Sequence, residues 1–118
     1  MGKEFLLDMD SVWVIVKESE TKGDGEHAVV SGATEGLTLQ FDKNVLCLAI
    51  FSDQDMADRY IAAENLQGVA SASFDNDFEL LQFLRSQVEM GIRHIAPDPR
   101  VGHHNTYGPI EQLIDHVK

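Results

Sequence analysis

Cysteine is almost missing from this chain: Cys47 is the one thiol in 118 residues, so no intramolecular disulfide can form. Positive charge is also scarce. Nine Lys and Arg stand against 20 Asp and Glu, giving a formal net charge of -11, and the basic residues form no run. A surface this negative repels phosphate backbones and anionic headgroups, which argues against nucleic-acid and membrane-surface partners. Long apolar stretches are absent too, since the longest, Val45 to Phe51, is far too short to span a bilayer. The opening Met1-Gly-Lys-Glu-Phe-Leu6 has neither the basic and apolar regions of a signal peptide nor a myristoylation pattern. A soluble, cytoplasmic protein is the expectation.

What is present is an ordinary globular balance, enough to build one core from a single α/β domain over residues 1–118. Ser11 to Lys17 is rich in β-branched residues and reads as a strand covered on both faces. Glu26 to Ser31 reads as its return strand, and Leu37 to Phe41 alternates with the period of a half-buried strand. Val45 to Phe51 is continuously apolar and belongs at the centre of a sheet. Ser52 with Asp55 resembles a capping box opening a helix through Ile61 that Gly68 stops. Val69 to Phe74 is a short strand of small residues. Asn76 with Glu79 opens a second helix, on which Phe78, Leu81, Leu84 and Val88 share one face and which Gly91 closes. Ile92 to Ile95 is a further strand, Ala96 to Gly108 a loop, and Pro109 the first residue of a last helix. The expectation is a mixed α/β fold, with one sheet whose N-terminal half is antiparallel and whose C-terminal half runs β-α-β-α-β.

Few patterns carry chemistry. Phe5-Leu-Leu-Asp8-Met-Asp10 resembles the first motif of haloacid-dehalogenase-type phosphatases, but no Lys lies between Lys43 and Lys118 to hold a phosphoryl group. Asp75, Asp77 and Glu79 have the opening spacing of a calcium loop, yet Leu80 and Ser86 stand where Gly and Glu are needed. Cys47 lies in the most apolar strand, where a thiol behaves as a small hydrophobe. The remaining constellation follows a strand end, where open α/β sheets place ligands. His94, Asp98, Arg100, His103, His104 and Tyr107 there could bind a metal or a small anion. The competing reading is a solvated, proline-stiffened connection.

Phe51-Ser-Asp53, the Ala-containing helix from Gln54, and a later strand running into a proline-bearing tail (Ile92 to Pro97) give Val45–Pro99 a resemblance to the N-terminal domain of SseB-type proteins. Val12-Trp-Val-Ile-Val16, His27 and Met56-Ala-Asp-Arg-Tyr60 are also similar to a small cyanobacterial and plastid domain of unknown function. The SseB-type tail usually carries Asn-Pro where this chain has Ala96-Pro97-Asp98-Pro99. Either resemblance implies a compact bacterial α/β module with an accessory or binding role and no catalytic residue. The expected function is therefore a non-catalytic binding or interaction module without a cofactor, whose partner is another protein or a second copy forming a homodimer. The first strand, residues 32 to 36, the edge at Leu37 to Phe41 and the last helix are its candidate surfaces. The alternative is a small-ligand or metal-binding protein, even a weak hydrolase, using residues 94–107.

Overall fold

A strand whose two faces are both apolar needs cover on both sides, and the chain supplies it in a computed structural model that describes residues 12–18, 36–41, 45–74, 76–100 and 106–117. Among these residues the elements run β1 (Val14–Lys17), β2 (Thr38–Phe41), β3 (Val45–Ile50), α1 (Gln54–Ala63), β4 (Val69–Ala72), α2 (Asp77–Glu89), β5 (His94–Pro97), β6 (Gly108–Pro109) and α3 (Ile110–Val117). The fold is mixed α/β, as the sequence indicates. The expected return strand at residues 26–31 lies outside the described residues.

The strands form two hydrogen-bonded ladders instead of one continuous sheet. β1 pairs antiparallel with β4, and the other ladder has the order β2-β3-β5-β6, in which only β3 and β5 are parallel. Single bridges stitch the two together. Trp13 and Phe51 exchange backbone hydrogen bonds of 2.8 Å, while Leu37 N donates to Ile15 O at 2.8 Å. β2 therefore enters as a wedge between β1 and β3. Its first turn is crowded: a Cβ added at Gly36 would lie 2.7 Å from Leu48 Cδ1 and 2.9 Å from Phe83 Cζ. Only glycine lets the backbone approach that closely.

Strand periodicity divides the core in two. Val14, Val16, Leu48 and Ile50 face α2 and α3, where Leu80, Phe83, Leu84, Leu113 and Ile114 cover them. Ile15, Ala49 and Phe51 face the other way, against Ala57 of α1 and the partly buried Trp13, Met56 and Tyr60. Val14, Ile15 and Val16 of the first strand are thus buried in the core and not at the surface.

The helix ends depart from the sequence reading in instructive ways. Asp53, and not Ser52, caps α1, accepting from Met56 N at 2.8 Å. Asn65, at φ 54, closes that helix before Gly68 is reached. Leu66 N donates to Ile61 O and Asn65 N to Ala62 O, the paired bonds of a Schellman motif. Asn tolerates the left-handed region through its short polar side chain, so it can stand in for glycine. α2 keeps the expected cap, with Asn76 accepting from Glu79 N at 2.9 Å, and Gly91 (φ 97) closes it with the same Schellman pair. Its inner face, however, is Leu80, Phe83, Leu84 and Gln87, and Phe78 is 62% exposed.

β5 also runs further than expected, taking in Pro97. Asp98 N donates to Ile50 O, so alternation turns the Pro97 nitrogen away from β3. On that other side β6 pairs only with His94 and Ile95, so no ladder bond is lost at Pro97. Pro109 ends β6, and α3 begins one residue later at Ile110.

Candidate functional site

The two ends of one short strand hold two of the six candidate ligand residues, His94 and Asp98. His94 opens β5 and Asp98 follows its last residue. Four residues of extended backbone separate them by about 13 Å. His94 is half-buried and meets the Tyr107 ring edge-on, with centroids 5.5 Å apart and planes at 88°. Cys47 and Pro109 are its neighbours across the sheet.

Asp98 is occupied elsewhere. It lies in the left-handed region at φ 45, and its carboxylate straddles Ser52. Ser52 N donates to Oδ1 at 2.8 Å and Ser52 Oγ donates to Oδ2 at 2.9 Å. This clamp ties the end of β5 to the turn that carries the chain from β3 into α1. Arg100 is exposed beyond it. His103 and His104 lie outside the described residues, as do Asp8, Asp10 and Asp75 from the two rejected motifs. The structure brings His94 and Tyr107 together, while the Asp98 carboxylate is bonded to Ser52. Among the described residues, no three His, Cys, Asp or Glu groups converge to hold a metal ion. Cys47 is buried within β3, as its apolar surroundings foretold.

A polar feature that sequence reasoning missed lies between α1 and β4. Ser71 of β4 is only 5% exposed, and its hydroxyl donates to Asp58 Oδ1 of α1 at 2.7 Å. Gln54 Nε2 approaches the same hydroxyl oxygen at 3.4 Å. Beside them runs an open groove of about 310 Å³ between α1 and β4. Gln54, Asp58, Ile61 and Ala62 have an i, i+4, i+7, i+8 spacing that could have flagged this face. A second groove, of about 320 Å³, lies between α2 and α3 and is lined by Arg85, Val88, Glu89, Glu111 and Ile114. Among the described residues no helix is long and apolar enough to cross a membrane.

Compared with known proteins, the chain matches no family model, and no curated protein is significantly similar to it.

Proposed function

We propose that the chain is a non-catalytic binding module that acts through the face formed by α2 and α3, with a second copy as the partner. The observation that carries this reading is Phe78, a large aromatic side chain left 62% exposed on a helix whose other side fills the core. Residues 78, 82, 85 and 89 follow one line along the helix surface. Phe78 therefore heads a stripe that leads through Gln82 to Arg85 and Glu89 at the α2–α3 groove. One of the surfaces named from sequence, the last helix, forms the other wall through Glu111 and Ile114. Aromatic side chains, Phe among them, are enriched in protein interfaces over the rest of the surface. A binding role without chemistry is also what the SseB-type resemblance implies.

Sedimentation of the chain from about 10 µM to about 1 mM spans the affinities of weak homodimers. The average mass is expected to rise with concentration in the wild type and to stay monomeric in Phe78→Ser. That variant should unfold within about 0.5 kcal/mol of the wild type, as an exposed position does. A wild-type monomer throughout, or a variant that loses its fold, overturns the reading.

The His94–Tyr107 contact favours a second reading, small-ligand binding by residues 94–107. Zn²⁺ is then expected to raise the melting temperature, by about 2.7 kcal/mol equivalent at a hundredfold excess over its dissociation constant. An unchanged melting temperature in the presence of Zn²⁺ and Ni²⁺ removes the metal form of this reading.

A further inference from the structure

The groove between α1 and β4 is independent of the α2–α3 face and has a chemistry of its own. Ser71 has one hydroxyl proton, and it goes to Asp58 Oδ1. The Ser71 oxygen can then only accept from Gln54, which fixes the Gln54 amide with its NH₂ toward Ser71. Two acceptors remain without a hydrogen-bond partner among the described residues, Asp58 Oδ2 and Gln54 Oε1. No Lys or Arg lines the groove. The nearby Arg59 is turned to Asp55, with Nε 2.9 Å from its carboxylate. The wall beyond the acceptors is aliphatic, formed by Ile61, Ala62 and Val69.

An acceptor pair carrying one negative charge, followed by an apolar wall, is the complement of a cation on a hydrocarbon stem. The -11 net charge adds a long-range field of the same sign. We infer that this groove receives a lysine or arginine side chain of a partner polypeptide, with the ammonium or guanidinium group on Asp58 Oδ2 and Gln54 Oε1 and the stem along Ile61, Ala62 and Val69. The groove is open along its length, so the side chain can enter while still attached to its backbone. The buried Ser71 hydroxyl contributes by holding the Asp58 carboxylate in one orientation, which reduces what binding must order.

The test titrates ¹⁵N-labelled full chain with N-acetyl-lysine-N′-methylamide and its arginine counterpart, using the norleucine and citrulline analogues as uncharged controls. Saturable amide shifts are expected at Ala62, Ala70 and Ser71, from the cationic probes alone. Asp58→Asn is expected to weaken binding about three- to fivefold, the scale of one exposed ion pair. Gln54→Met is expected to weaken it less, and Glu79→Gln, which removes the same charge from α2, not at all. Each variant's amide spectrum confirms its fold, and Gln54→Met keeps the proposal testable if Asp58→Asn unfolds. Equal binding by norleucine, equal loss in Glu79→Gln, or shifts spread over the whole acidic surface would overturn the inference. So would n-butylammonium binding as tightly as the lysine derivative, which would assign the groove to free amines. None of these outcomes depends on self-association through Phe78.

Discussion

Tyr60 illustrates how a single side chain couples this fold to pH. Its ring is half-buried against Phe51, with centroids 5.7 Å apart, and its hydroxyl ionises above the ordinary value of 10.0. Burial is the main cause, because it disfavours the phenolate, and the Glu64 carboxylate adds to it. Below pH 10 the phenol is neutral whether the chain is folded or not. Above it the unfolded chain loses its proton first, so the stabilisation present at lower pH is lost as pH rises through the folded-state value. Absorbance titration at alkaline pH should show one tyrosine ionising late. In Tyr60→Phe that late phase should vanish and the alkaline fall in stability should become shallower. A wild-type tyrosine titration finishing at the ordinary pH would contradict the burial argument.

The Ser52–Asp98 clamp belongs to the scale of elements, because it joins the ends of the parallel strands β3 and β5 to the start of α1. Asp98→Ala leaves a backbone N–H and a hydroxyl without their acceptor and is expected to destabilise by about 1–3 kcal/mol in urea unfolding. Ser52→Ala removes one of the two bonds and should cost about 1 kcal/mol. If the clamp is a unit, Ser52→Ala costs little further in the Asp98→Ala background; full additivity would show that the two residues act separately. The same pair shows what was legible in the sequence. Element type and order could be read wherever local chemistry decides them: the apolar run of β3, the Asn76 cap, the Gly91 stop. Asp98 was visible as a polar residue at a strand end, but its partner lies 46 positions earlier in the chain, and nothing local announces such a bond. Leu84 of the expected α2 face is buried and Leu81 and Val88 pack against the core, but Phe78 is exposed and the inner face is centred elsewhere for a related reason. The spacing Phe78, Leu81, Leu84, Val88 and the spacing Leu80, Phe83, Leu84, Gln87 are both helical, and only packing against the sheet centres the face on the second, leaving Leu81 and Val88 at its margin and Phe78 outside it. Ser71 and Asp58 gave no motif at all, since their meeting depends on how α1 lies over β4.

At the scale of the whole molecule, the sequence established the mixed α/β class and the need for helices on both sides, because β1 and β3 are apolar on both faces. It did not reveal the division into two ladders. That division depends on β2 wedging in at Gly36, a fit decided by distances to Leu48 and Phe83 and not by propensity. The two ladders have a consequence for the continuity of the chain. Val14 pairs with Ala72, while Cys47 pairs with His94, so the spans closed by these pairs overlap without one enclosing the other. A backbone break anywhere between Cys47 and Val69 cuts across both spans at once. The described part of the molecule can therefore not be divided there into two fragments that each keep a complete set of strand partners.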